Sequence, residues 1–183
     1  MTDTGPTTEP RKSGRQRIEA EIVVYQARLP RFVVTWLKQL SLEPASYMHC
    51  IHPEVVVLTS DTGLDAEKKC IRTDSLSLTI ERILRTFIIT GGYKNFPFER
   101  ARRGDPDDRS PQAWTQVNAR ITKELSDKIF VPKQNPGKGE IRQAEAGLCT
   151  ELWMGKKGVP VTKAAFALGA VTWFAEQLAG GKV

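Results

Sequence analysis

The densest group of chemically capable residues is a short His-Cys-x-His stretch. His49, Cys50 and His52 are metal-ligating types, and Cys70 and Cys149 are two further thiols. A zinc site needs about four ligands in tetrahedral reach, and its usual local signatures are C-x-x-C or H-x3–5-H pairs. The His-x-x-His spacing and the isolated cysteines supply neither signature. The sequence therefore predicts ordinary histidines, reduced buried thiols and no metal site.

A second chemical pattern is an aspartate followed by Glu-Lys-Lys. Asp61 precedes Glu67-Lys68-Lys69 in the order found in metal-dependent nucleases, where carboxylates at strand ends hold Mg²⁺ beside a lysine. Gly63 lies between them without a strand pattern, so convergent carboxylates are not expected. A G-x-S-x-G nucleophile motif is missing, and the Gly-Lys stretches at 137–139 and 155–158 lack the order of a P-loop. We expect a protein that is not an enzyme and binds no cofactor.

Cationic residues are better organised than these groups. The chain has 27 Lys and Arg against 21 Asp and Glu, a formal net charge of +6, which favours a polyanionic partner. The stretch GGYKNFPFERARRG, residues 91–104, interleaves three aromatic residues with cations. Such a combination stacks bases and follows phosphates in single-stranded nucleic acid. The alternative is that Phe96 and Phe98 hold this loop on the core and that the aspartates after it pair with the arginines.

The predicted nucleic-acid contacts are distributed along the chain. Arg82 and Arg85 are i, i+3 neighbours on one predicted helix, so their side chains are expected to project together. We expect the cations to contact the backbone of RNA or single-stranded DNA. The predicted set is Arg82, Arg85, Lys94, Arg100, Arg102, Arg103, Arg120, Lys123, Lys133 and Lys138.

Helical periodicity predicts the elements that must position these residues. Residues 1–14 lack an apolar period and are expected to form a disordered tail, followed by a single helical domain over 15–183. The β-branched run at 54–58 predicts either a short strand or a buried helix that begins at Pro53. The predicted fold is an all-α bundle of six to seven helices, with at most that one β element. Apolar spacing and cap residues place helices over 18–29, 30–43, 74–89, 111–131, 141–154 and 160–179.

In size, all-helical outline, distributed cations and a charge-poor terminal helix, the chain resembles the small helical subunit of class 1 CRISPR effector complexes. Those subunits are basic bundles without catalytic residues, and they line the guide RNA–target groove. The resemblance implies a non-catalytic subunit of a ribonucleoprotein complex in antiviral defence, with neighbouring protein subunits as partners. It also implies a basic face made of Arg82, Arg85, Arg100, Arg102, Arg103, Arg120 and Lys123.

Two other functions fit the same sequence. Residues 158–175 contain a helix start and a small-residue step at Gly169, as a DNA-binding regulator would, but the following run is too apolar for a recognition helix. Residues 164–178, with Trp173, would suit a protein-interaction adaptor that binds no nucleic acid. The apolar runs are shorter than the ~20 residues of a membrane span, and the N-terminus does not resemble a signal peptide. We therefore expect no membrane contact and a cytoplasmic location.

Overall fold

The computed structural model describes residues 21–59, 75–105, 107–130, 147–155 and 158–180. Two 3-10 turns, Pro44–Ser46 and Met48–Cys50, connect the first two helices. The elements in chain order are β1 Ile22–Pro30, α1 Arg31–Leu42, α2 Pro53–Thr59, α3 Ser75–Ile89, β2 Trp114–Thr122, α4 Lys123–Ile129, α5 Leu148–Glu151, β3 Trp153–Met154, β4 Val159–Pro160 and α6 Lys163–Gly180. Two antiparallel two-stranded sheets make the fold mixed α/β, so the predicted all-α bundle of six to seven helices is wrong.

The longer sheet is a ribbon in which β1 and β2 pair along their whole length, from Ile22 opposite Thr122 to Pro30 opposite Trp114. Side chains alternate between the two faces, as the pleat of a strand requires. In β1, Tyr25, Ala27 and Leu29 are buried and the residues between them are exposed. The predicted helix over 18–29 is wrong, since residues 22–30 form a strand. Ile22, Tyr25 and Leu29 fit a helical period, and the small Ala27 hides the apolar–polar alternation of the strand in the sequence.

The predicted helix over 111–131 is likewise wrong in its first half. Its apolar series runs through two elements, since Val117 and Ile121 belong to β2 and Leu125 and Ile129 belong to α4. Thr122 joins them in an extended conformation, with φ −65° and ψ 143°. A strand that continues directly into a helix keeps a buried residue at nearly every fourth position, so the period alone predicts one long helix.

Three predicted helices are confirmed as α1, α3 and α6. Gly91 follows α3 with a φ of 71°, the left-handed conformation expected of a glycine after a helix end. The run at 54–58 is helical, as α2, rather than a strand. α6 passes through Gly169 without a break, so the helix-turn-helix considered for residues 158–175 is absent there.

α3 and α6 cover the inner face of the ribbon, and their contact is built on an aromatic cluster. Phe87 of α3 lies at its centre, with ring centroids 5.4 Å from Phe166 and Trp173 and 5.8 Å from Phe96. A Cβ at Gly169 would lie 2.7 Å from a ring carbon of Phe98, so α6 needs a glycine there. The aromatic segment after α3 is therefore held on the core, as the alternative interpretation of this loop predicts.

Several sequence predictions fall outside the described residues. They are the tail over 1–14, the candidate nuclease residues Asp61 and Glu67, the cations Lys133 and Lys138, and the first part of the helix predicted over 141–154. The last part of that helix is described, and it forms only the single turn of α5 before β3.

Candidate nucleic-acid interface

Arg82 lies in the core, and only 7% of it is exposed. Its Nε donates to Thr59 Oγ1 at 2.9 Å, its Nη2 to the Thr59 carbonyl oxygen at 3.2 Å and its Nη1 to Tyr47 Oη at 3.3 Å. The expectation that Arg82 and Arg85 project together is therefore corrected. Arg82 faces α2 and is used in holding that helix on α3, which leaves it no surface for a phosphate.

Arg85 and the cations of α4 are engaged by acids. Arg85 Nε donates to Glu81 Oε1 at 3.0 Å, and its Nη2 donates to Thr122 Oγ1 at 2.8 Å. Lys123 Nζ lies 2.5 Å from Asp127 Oδ2, and this hydrogen bond raises the pKa of Lys123. Glu124 accepts from Lys128, which lowers the pKa of that carboxyl. The positive charge of this region is largely neutralised locally.

The basic loop, residues 93–103, keeps its cations exposed. Lys94, Arg100, Arg102 and Arg103 are all exposed and form no ion pair with any residue that the structure describes. The next residue, Gly104, packs so closely on β2 that a Cβ there would lie 2.0 Å from the carbonyl oxygen of Trp114. The end of the basic loop therefore packs against Trp114, the first residue of β2.

A second cationic region is a groove of about 620 Å³ between α1 and the start of β2, here called the Arg31 groove. The cations Arg31, Lys38 and Arg109 line it together with the aromatic residues Phe32 and Trp36. Phe32 is 55% exposed, although it is large and apolar. The groove thus combines three positive charges with two ring surfaces.

Arg31 is incompletely satisfied within the protein. Its buried Nε has no hydrogen-bond partner among the described residues. Asp108 is nearby, and the pKa of its carboxyl is lowered, mainly by hydrogen bonds from Ser110 and to a smaller extent by Arg31. The backbone N–H of Arg31 donates to the Ala113 carbonyl at 2.8 Å, so the start of α1 is anchored on the turn before β2. That turn also carries Arg109 into the groove.

The outward side of the ribbon is continuous with this groove. Its six exposed side chains, here called the ribbon face, form three cross-strand pairs in the register of the sheet. Gln116 belongs to both surfaces, since it lines the Arg31 groove and lies opposite Arg28. Neither strand contains a carboxylate. The pairs are Arg28 with Gln116, Gln26 with Asn118, and Val24 with Arg120.

Sequence reasoning included Arg120 but missed the surface to which it belongs. The helical period predicts Arg120 on a helix beside Lys123, whereas it lies in β2 with its backbone N–H donating to Ser77 Oγ at 2.8 Å. A signal was present in the sequence, because VYQARLP and WTQVNARIT both alternate between apolar and polar residues. Two alternating segments, each with one arginine among its polar positions, are typical of two paired strands with a polar outward side.

Two buried thiols and a histidine that contacts the backbone are further chemically capable groups in the part of the chain that the structure describes. Burial raises the pKa of the Cys149 thiol to about 12 and raises the pKa of Cys50 as well. His52 Nδ1 accepts from the backbone N–H of Glu54 at 3.3 Å. Within the described ranges, no three His, Cys, Asp or Glu side chains are grouped so as to hold a metal ion.

A third groove, of about 550 Å³, lies between the basic loop and α6. It is lined by Phe96 and Trp173 but also by Glu99 and Glu176. The two carboxylates make it unsuited to a polyanion. Phe166 and Phe174 of α6 face the core, whereas Trp173, which the sequence predicts as the contact of an adaptor, is half-buried and lines this groove.

None of the described helices combines the length and the apolar character needed to cross a bilayer. No family model matches the chain, and no match was found among curated proteins or solved structures.

Proposed function

We propose that this protein binds nucleic acid without catalysing a reaction, through the surface formed by the Arg31 groove and the adjoining ribbon face. One observation carries the proposal. This surface brings five cations that form no ion pair with any residue the structure describes next to the aromatic side chains of the groove, whereas the cations of α3 and α4 are buried or ion-paired. The five are Arg28, Arg31, Lys38, Arg109 and Arg120. Binding to phosphates requires a surface of this kind, on which positive charges are not neutralised by neighbouring acids.

The aromatic residues of the groove add a second contact to the charges. Bases stack on exposed rings with about 1–3 kcal/mol per base, and cations beside the rings follow the phosphates. Phe32 is the ring most open to solvent, and Lys38 lies on the same helix within the same groove. Arg31 lines the same groove and adds its positive charge to that of Lys38.

Salt dependence of binding tests the proposal. We expect the full chain to bind fluorescently labelled RNA or DNA in an anisotropy titration, with affinity falling between about 50 and 200 mM salt. The double variant Lys38→Ala/Arg109→Ala removes two predicted phosphate contacts. Its slope of log K against log salt is expected to be shallower by about 1.4–1.8, and its affinity lower by about tenfold or more.

The control variant is Lys123→Ala/Lys128→Ala, which removes the same charge from exposed lysines that are paired with acids. We expect it to change affinity by less than about threefold, because a lysine that is paired with an acid on its own helix attracts phosphates only weakly. Equal losses in the two double variants would refute the assignment of the site to the groove. An absence of binding to any nucleic acid would refute the function.

A place in a cytoplasmic ribonucleoprotein complex with neighbouring subunits remains a prediction of the sequence resemblance. The small CRISPR subunit was matched on an all-helical outline, and the ribbon departs from that outline. The basic face implied by the resemblance also included Arg82, which is buried. Our proposal therefore keeps the nucleic-acid partner but assigns it to a different surface.

A further inference from the structure

We infer that the ribbon face enters the major groove of duplex DNA and reads base pairs there. The inference rests on the proposed function and makes it more specific, because the Arg31 groove would hold the phosphates while the ribbon face selects the sequence. Contacts to phosphates position a protein, and contacts to base edges specify its site.

The side chains of the ribbon face are the types that recognise bases. Arginine donates two hydrogen bonds to guanine O6 and N7, and Asn or Gln pairs with adenine N6 and N7. Arg28 and Arg120 supply the former, while Gln26 and Asn118 supply the latter. Val24, which is 53% exposed, offers an apolar contact for a thymine methyl group.

The spacing of these side chains matches that of stacked base pairs. Alternate residues on one strand are about 6.8 Å apart, twice the ~3.4 Å rise of DNA, so successive outward residues meet every second base pair. The two strands lie about 4.8 Å apart, and a two-stranded ribbon fits the ~12 Å major groove. Gln116 Nε2 donates to Asn118 Oδ1 at 3.1 Å, which orders two of the amides along β2.

Duplex DNA suits this face better than the other nucleic acids. Single strands are bound by stacking on aromatic rings, and none of the six ribbon-face side chains is aromatic. The rings of Phe32 and Trp36 lie in the Arg31 groove, where they would accept an unpaired base but do not reach the ribbon face. Double-stranded RNA has a major groove too deep and narrow for side chains to read. The cations at the Arg31 end of the ribbon lie beside Gln116, where a DNA backbone would pass as the groove wall.

Selection from a duplex library with a randomised centre tests the inference on the full chain. We expect an enriched sequence that binds at least about tenfold more tightly than its scrambled version. The variant Gln26→Ala/Asn118→Ala is expected to reduce this ratio towards one and to leave the salt slope unchanged, since it removes no charge. Asn95→Ala, an exposed amide on the basic loop, is the matched control and is expected to retain the ratio.

A second measurement uses the unaltered protein, so it does not depend on how the variants fold. Replacing purines of the selected site with 7-deaza analogues removes the N7 acceptor from the major groove, and we expect a loss of affinity of about tenfold. If the protein binds nucleic acid without preference, binds only single strands, or tolerates both the 7-deaza bases and the amide variant, the inference is wrong and the proposed function stands. If it binds no nucleic acid, both are wrong.

Discussion

The three hydrogen bonds donated by Arg82 connect α3 to α2 and to the turn at Tyr47. Removing the guanidinium breaks three buried hydrogen bonds, so we expect Arg82→Ala to lower the free energy of unfolding by about 3 kcal/mol. Urea denaturation measures the change. Arg102→Ala, an exposed arginine of the basic loop, should stay within about 0.5 kcal/mol. Similar stability of the two variants would contradict the structural role of Arg82.

Burial of the Cys149 thiol predicts that the free energy of unfolding decreases at alkaline pH. Burial disfavours the thiolate and raises the pKa of the Cys149 thiol to about 12 in the folded protein, above the value of about 8.5 of an unperturbed cysteine. Only the unfolded chain then loses this proton as the pH rises above about 9, so the contribution is complete below that pH and declines towards 12. We expect the free energy of unfolding to fall by about 1.4 kcal/mol per pH unit in this window from this group alone.

The measurement compares urea unfolding of the wild type and Cys149→Ala from pH 8 to pH 10. The variant is expected to be less stable overall, since it leaves a cavity, but to have the shallower pH dependence. Cys50 has a pKa raised in the same direction and is present in both proteins, so it does not affect the comparison. Parallel pH profiles would show that the Cys149 thiol does not titrate as expected.

At the scale of elements, Gly104 connects the basic loop to the ribbon. Because its missing Cβ would collide with the Trp114 carbonyl, Gly104→Ala must displace the loop or the strand. We expect a loss of about 1–3 kcal/mol in the free energy of unfolding. Gly180→Ala is the control, since no atom of the described residues lies within 4 Å of a Cβ at that helical position. Unchanged stability of the Gly104 variant would show that the loop is not docked on β2.

Helices that carry their own cap and period could be predicted from the sequence, as α3 and α6 show. The ribbon could not be predicted in this way, because the spacing of its apolar residues fits both the period of a helix and the alternation of a strand. Tyr25 and Leu29 are four positions apart, which suits a helix face as well as alternate positions of a strand. The pairing of β1 with β2 decides between them, and that partner lies in a distant part of the chain. Tertiary contacts thus override a local pattern.

For the protein as a whole, the net charge of +6 follows from the composition, but the composition does not show where on the surface the charged side chains lie. Arg82 and Arg120 have the same chemistry, and only the elements packed around them bury the former and expose the latter. Lys123 is exposed and yet neutralised by Asp127, a pairing that follows from the helical spacing of α4. The exposure of loop cations such as Arg102 could be predicted, because loops lie at the surface by default.

The pairing of residues 22–30 with residues 114–122 has a consequence for synthesis. Chains are made at about 5–20 residues per second, and contacts between distant segments cannot form until both have left the ribosome. A nascent chain that ends before β2 therefore displays Arg28 of β1 without the register that aligns it with β2. Translation itself delays the appearance of a competent binding surface until the last strand of the ribbon has emerged from the exit tunnel.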